Sequence, residues 1–465
     1  MLKSDLYQIF LHLQPEDRRA LRKFVESPFF NQRDDVRLLF QHFDRYLEKD
    51  LSQLGKKEGY AAAYPGQPFD DQQLRYCMSF LLKTIEQYLI HRQATADPLQ
   101  SQLHLAHAYR QMGLEKMTSR SLQRAKALQQ KITLQDADFY ERSYHLEAEE
   151  LEFSQTQKRT ASRNLQQVNH SLDLNYLAKK LRQSCTAIVH GSVANVEYDS
   201  GLLDLLLGYL EVVPWLDQHP AIALYFYFYQ AASTGDERYF EKLKNGMQAA
   251  TDSLPEEELR SLHFLAINFC IQRFNRGEER YLSEVFGLYQ NGLQQGILLV
   301  QDQLSRFAFA NIAGIAIRLG EFDWTENFIE QFSPKIERQH RRNYRDFILA
   351  KLHYARRNLD QAQRLLQNVE YEDVFLNLDA KVLLLKIYFE NDEMEVLDSF
   401  ISAFQRFLQR KKGLGYHREN YLNTLQFARR LISLNPFEKE EKAALKIEIE
   451  NTKALGEKEW LLGRL

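Results

Sequence analysis

Apolar residues recur every three or four positions along almost the whole chain, the period of a helix with one buried face. Val36, Leu39, Phe40, Phe43 and Leu47 form one such stripe. Leu74, Cys77, Leu81, Ile85, Tyr88 and Leu89 form another. Pro15-Glu16-Asp17 opens a helix carrying Ala20, Leu21, Phe24 and Val25, since proline and acids suit the first turn. Ser27-Pro28 closes it, because proline disfavours helical geometry in the residue before it. Asn31 is the expected cap of the following helix, and Asp70 or Asp71 caps the one after residues 50–69. That stretch, with Gly55, Gly59, Pro65, Gly66 and Pro68, reads as loop. Residues 1–95 are therefore expected to form an N-terminal cap of four helices.

From about residue 97 the stripes come in pairs. Turn markers stand at Gly235, Gly277, Gly320, Asn358 and Asn391, at intervals of 42, 43, 38 and 33 residues. A helix pair cannot bury its apolar face alone, whereas stacked pairs build a continuous core. The run Ala223-Leu224-Tyr225-Phe226-Tyr227-Phe228-Tyr229 is apolar or aromatic around the whole helix, so it must be covered on every side. A core helix is the first reading of residues 221–232, and an aromatic groove is the other. The array is expected over 96–433. After the Asn435-Pro436 break, Ala443, Ala444, Leu445, Ile447 and Ile449 mark a C-terminal capping helix or tail over 434–465, with Trp460, Leu461 and Leu462 as its anchor.

One stretch is specific enough to suggest a family. Ile348 to Val369 places Ala350 where a small residue belongs in a first helix, Asn358-Leu359-Asp360-Gln361-Ala362 at the turn, and Leu366 and Val369 on the second helix. This resembles a tetratricopeptide repeat. Ala313 before Leu319-Gly320-Glu321, Leu384 and Tyr388 before Asn391-Asp392-Glu393, and Ala106, Tyr109, Gly113, Leu122 and Ala125 repeat the pattern. The resemblance implies an all-α fold, an irregular tetratricopeptide-like α-solenoid of stacked helical hairpins behind an N-terminal cap. Ser27-Pro28-Phe29-Phe30-Asn31 is similar to a segment of uncharacterised bacterial proteins, a likeness that brings no function with it.

Composition supports helix. There are 19 Gly and 10 Pro in 465 residues, both roughly half of average usage. The 60 basic and 63 acidic residues leave a formal charge of −3, so no global footprint for nucleic acid exists. A helix-turn-helix in the cap is disfavoured too, since its helix after Asn31 opens Gln32-Arg33-Asp34-Asp35 and acids there repel phosphate. Cys77, Cys185 and Cys270 lie 108 and 85 residues apart, without metal spacing, and read as buried thiols of a reducing compartment. Met1 to Leu6 lacks the apolar core of a signal peptide. Residues 201–216 contain Asp204, Glu211 and Pro214, and 221–232 are too short to span a bilayer. A cytoplasmic protein without membrane association is expected.

No phosphate loop, dinucleotide fingerprint, zinc-protease pair or nucleophile elbow occurs. His104 and His107 share a helix face but lack a third ligand nearby. His145, Glu149, Glu150 and Glu152 read as a solvated face. No catalytic, cofactor-binding or metal residue is assigned, and the chain is read as a non-enzyme. A deep polar pocket with shifted titratable groups would argue otherwise.

Two basic clusters stand out. Lys335, Arg338, His340, Arg341, Arg342 and Arg345 surround Tyr344. Arg406, Arg410, Lys411, Lys412 and Arg418 lie beside Tyr416, His417 and Tyr421. Arginine grips carboxylates in bidentate fashion and tyrosine can stack. The plainer account is that such residues stabilise helix C-termini. Arg338, Arg341, Arg342, Arg345, Arg410, Lys411, Lys412 and Arg418 are the candidate partner-binding residues. The expected function is a protein–protein interaction scaffold that binds an extended or acidic segment of another protein. A peptide-responsive regulatory sensor, with residues 1–95 as output module, is the alternative.

Overall fold

The computed structural model describes residues 4–47, 49, 51–155, 163–194, 196–367, 373–411, 414, 417–435 and 438–465. The fold is all-α. The N-terminal helices are α1 (Asp5–His12), α2 (Pro15–Glu26), α3 (Asp34–Tyr46), α4 (Lys56–Ala63) and α5 (Asp71–Thr95). There follow α6 (Pro98–Gln111), α7 (Glu115–Gln129), α8 (Ala137–Gln155), α9 (Leu165–Ala194), α10 (Leu203–Leu210), α11 (Pro220–Thr234) and α12 (Glu237–Ala249). Next come α13 (Glu256–Asn275), α14 (Arg280–Gln294), α15 (Arg306–Arg318), α16 (Phe322–Phe332), α17 (Arg338–Ala355) and α18 (Leu359–Gln367). The last are α19 (Val374–Glu390), α20 (Met394–Arg410), α21 (His417–Ser433), α22 (Lys439–Asn451) and α23 (Lys458–Leu462). No described helix is long and apolar enough to cross a membrane.

The chain forms two compact units. The first comprises 1–184, 199–226 and 252–255, and the second 185–198, 227–251 and 256–465. Within the first, α1–α5 close around a core of their own that runs from Leu6 and Phe10 through Phe40 and Phe43 to Ile85 and Tyr88. Two details differ from the sequence reading. Residues 50–69 include a 3-10 turn and α4, because Tyr60 and Ala63 carry enough apolar surface to bury. Asn31 caps no helix: its side-chain amide donates to the Val25 and Arg33 carbonyls, and its oxygen accepts from Arg33 N–H, so it pins the loop instead. Asp70 does cap α5, accepting from the Gln72 and Gln73 amides.

Helices α6, α7 and α8 pack together over Leu99, Leu103, Ala106, Leu122, Ala125 and Leu146. The acidic run of α8 is a solvated face only at His145 and Glu152, which are exposed. Glu149 accepts from Arg110 at 2.7 Å and Glu150 pairs with Lys126 at 2.7 Å. Residues 221–228 of α11 are all buried, which settles this helix as core rather than groove. Cys77, Cys185 and Cys270 are buried thiols outside any disulfide among the described residues, and burial pushes Cys77 up to about 12.

In the second unit, α13 and α14, α15 and α16, α17 and α18, and α19 and α20 form successive hairpins, and first helix packs on first helix from α15 to α17 to α19. Their turns share one device. The second residue beyond the first helix is left-handed: Gly277, Gly320, Arg357 and Asp392, with φ of 96°, 81°, 64° and 60°. The following amide then reaches back to a carbonyl in the last helical turn, as Glu321 does to Ala316, Asn358 to His353 and Glu393 to Tyr388. This closes each helix with a 6→1 bond that satisfies an otherwise orphaned carbonyl. The interval between α14 and α15 holds a two-residue-per-strand hairpin, Leu299 opposite Leu304, turned by Gln301 and Asp302 at positive φ.

The C-terminal segment is docked. Leu445, Ile449 and Leu461 bury against Phe427 and Leu431. Trp460 stands edge-on to Phe389, with ring centroids 5.4 Å apart.

Candidate functional site

The first basic cluster sits at the N-terminal end of α17, not at a helix C-terminus. Its members divide by what they touch. Lys335 pairs with Asp302, and Arg341 turns back to donate to the Pro334 and Ile336 carbonyls, closing the 3-10 turn before the helix. Arg345 donates to buried Asp346 at 2.9 and 3.1 Å. Arg342 approaches the other oxygen of Asp346 only to 3.6 Å and keeps 76% of its side chain exposed. Arg338 is exposed, four residues earlier on the same face, beside an open depression with Gln303, Glu337 and Gln339. Tyr344 is not a stacking platform: it is buried, with its hydroxyl donating to Asp373 at 3.0 Å.

The second cluster straddles the end of α20 and the start of α21. Arg406, Arg410 and Lys411 are exposed, and Arg418 donates to the Lys411 carbonyl. Arg410 occupies the last turn of α20, where a cation stabilises the helix dipole. Lys412 and Tyr416 lie outside the described residues. Tyr421 turns away from this cluster and donates to Asp379 at 2.9 Å.

Tyr421 belongs to a feature that no local motif announces. Phe347 and Lys351 of α17, Asp379, Val382, Leu383 and Lys386 of α19, Asn420, Tyr421 and Thr424 of α21, and the turn Gly456-Glu457 enclose a cavity of about 340 Å³. The turn is held by hydrogen bonds from Asn423 to the Ala454 carbonyl and from Thr424 to the Gly456 carbonyl. Lys386 and Glu457 form an ion pair at its edge. Among the described residues Lys351 makes no hydrogen bond or ion pair. Its ammonium lies over its own Phe347 ring, 5.6 Å from the centroid, and near Gly314 of α15, where a β-carbon would stand 3.8 Å away.

Burial shifts both opposed charges of this cavity toward neutrality. The enclosing protein lowers the Lys351 ammonium, a shift that Asp379 and Glu457 oppose. It raises the Asp379 carboxyl, against the hydrogen bond from Tyr421 and the charge of Lys351. Asp379 is nevertheless accessible to solvent, because it stands in a concave wall with protein around it and the open cavity in front.

A second cavity, of about 420 Å³, lies among α12, α13 and α14. Its charges are closed on one another: Lys244 contacts Glu241 at 2.9 Å and Glu284 at 2.8 Å, and His263 donates to the Leu259 carbonyl at 3.1 Å. No cluster of potential metal ligands occurs among the described residues. No protein-family model, curated protein or solved structure matches the chain.

Proposed function

We propose that the protein is a non-enzymatic scaffold, a tetratricopeptide-like α-solenoid of the cytoplasm that captures an extended acidic segment of another protein. The carrying observation is the placement of Arg338, Arg341 and Arg342 in the first turns of α17, where no first-turn residue is acidic and the preceding Glu337 is taken up by Gln339 and His340. Cations at a helix N-terminus oppose the macrodipole, at a cost of roughly 0.3–1 kcal/mol each. Arg341 offsets that cost by capping the preceding turn, and Arg345 by pairing with Asp346. Arg338 forms no ion pair among the described residues, and Arg342 reaches Asp346 only at 3.6 Å with 76% of its side chain exposed, so their placement favours a use outside the fold. Two guanidiniums one helical turn apart suit successive carboxylates of an extended chain. The second cluster supports the reading less, since Arg410 has a structural reason to be where it is.

The test is capture from native lysate by the wild type and by the double variant Arg338→Glu, Arg342→Glu, after circular dichroism confirms equal helix content. An acidic partner held by the wild type and lost by the variant is the expected result. Equal capture by both contradicts the assignment of these arginines.

A further inference from the structure

The cavity around Lys351 is independent of the arginine ledge and asks for a ligand of its own. Its two opposed charges are not closed on each other. Lys351 has no partner among the described residues, and Asp379 accepts one hydrogen bond, from Tyr421, leaving its other oxygen without one. The neighbouring pair, Lys386 with Glu457, is already closed. One side of the cavity is apolar, formed by Phe347, Val382 and Leu383, all buried. Its size is at the small end of ligand pockets, which run from about 300 to 1,000 Å³.

We propose that this cavity binds a small zwitterion of the α-amino acid class with an apolar side chain. The ligand carboxylate sits at Lys351, its ammonium at the free oxygen of Asp379, and its side chain against Phe347, Val382 and Leu383. The chemistry follows from what is unpaired. Lys351 is half-buried and Asp379 faces the open cavity, so neither charge is sealed from water, but neither forms an ion pair among the described residues. A ligand that carries both charges supplies a partner to each. An anion alone leaves Asp379 unmatched, and a cation alone leaves Lys351 unmatched. Both groups are pushed toward neutrality in the empty cavity, so a bound zwitterion returns each toward its charged form.

The position of these residues in the hairpins supports a built site. Gly314, Lys351 and Lys386 each stand six residues before the left-handed residue that ends their helix, at Gly320, Arg357 and Asp392. Phe347 and Val382 likewise share one position, ten residues before it. Equivalent positions of successive first helices therefore carry glycine, then lysine, then lysine. A β-carbon at Gly314 would stand in ordinary contact with the Lys351 ammonium, 3.8 Å away, and the third position is neutralised by Glu457 from the C-terminal turn. Among the described residues Lys351 is the cation of the row without an ion pair, and it lines the cavity.

Calorimetric titration of the full chain tests this with L-leucine and L-phenylalanine as probes. Two one-charge analogues of leucine, 4-methylpentanoate and 3-methylbutylamine, are run beside them. Saturable binding of at least one amino acid, with both leucine analogues at least tenfold weaker than leucine where leucine binds, is expected. Lys351→Met and Asp379→Asn are each expected to weaken binding at least tenfold, with helix content and melting temperature checked first. Asp379→Asn preserves shape and keeps an acceptor for Tyr421, so it serves as the variant least able to fail by misfolding. Arg338→Glu with Arg342→Glu is expected to leave the titration unchanged, which separates this proposal from the scaffold reading. Absence of saturable binding by both amino acids overturns the proposal. So does binding of 4-methylpentanoate as tight as that of leucine, or binding undiminished in both cavity variants.

Discussion

Trp460 donates its indole N–H to the Glu390 carboxylate at 3.1 Å, and the same carboxylate receives Tyr354, Arg357 and Arg464. Glu390 is the last residue of α19 and its side chain is 5% exposed. Four donors on one buried acid hold its charge, and they lower its pKa against the effect of burial. They also join α17, α19 and α23, so one carboxylate ties the C-terminal helix to the hairpins beside the Lys386–Glu457 pair and the Trp460–Phe389 contact.

Glu390→Ala is therefore expected to destabilise the second unit by about 2 to 3 kcal/mol. Breaking a buried pair costs roughly 3–5 kcal/mol, and the value here is reduced because Arg357 is largely exposed. Urea unfolding measures the loss, and limited proteolysis should show earlier cleavage near residues 452–458 than in the wild type. Unchanged cleavage there would mean that Leu461 and the apolar contacts of α22 suffice to hold the segment.

The left-handed turns give an opposite expectation. Asp392 adopts φ of 60° and is exposed, a conformation that costs L-residues energy and glycine none. Asp392→Gly is expected to raise stability by about 0.5–1 kcal/mol, read as a higher urea midpoint with the same slope. Gly320→Ala, at φ of 81° with open space around it, is expected to lower it by a similar amount.

Acid should weaken the fold through His263. It is 4% exposed, and burial holds its pKa below the ordinary value near 6.5 despite the bond to Leu259. Lys244 and Glu284 face the same cavity as a closed pair, and Glu258 is buried on the same helix. The folded chain thus binds protons less readily than the unfolded one. Stability is full above the unfolded value and falls as pH drops from about 6.5 through the lower folded value. His219 and His353 shift in the same direction. The melting temperature should fall between pH 7.5 and pH 5.5, and less steeply in His263→Gln.

Arg338→Glu alone is expected to stabilise the protein slightly, by about 0.3–1 kcal/mol, because it replaces a cation with an anion at a helix N-terminus. Thermal melting at low salt reads the gain, which should shrink at high salt. A loss of stability instead would show that Arg338 serves the fold.

The helical class, the hairpins and the markers at Gly277 and Gly320 were legible because glycine and periodicity carry them. Arg357 and Asp392 were less so, since their left-handed conformation is imposed by the hairpin rather than by residue type. The clusters were visible as charge, but charge along a sequence does not say which end of a helix it occupies. Only the structure separates Arg341 and Arg345, held close by local partners, from Arg338 and the largely exposed Arg342. The cavity was hidden for a different reason. Lys351 and Asp379 are 28 residues apart in helices that read as ordinary, and their enclosure depends on Gly456-Glu457 from the far end of the chain. A register counted back from each turn would have aligned Gly314, Lys351 and Lys386, and that row is the one signal the sequence held.

The scaffold reading is tested most directly by fluorescence anisotropy of a labelled ten-residue glutamate-rich peptide. The titration compares the wild type with the Arg338→Glu, Arg342→Glu variant at low and moderate salt. Saturable binding to the wild type that weakens with salt, and falls at least tenfold in the variant, is the expected result. Binding of equal strength to both proteins, or none to the folded wild type at low salt, would contradict it.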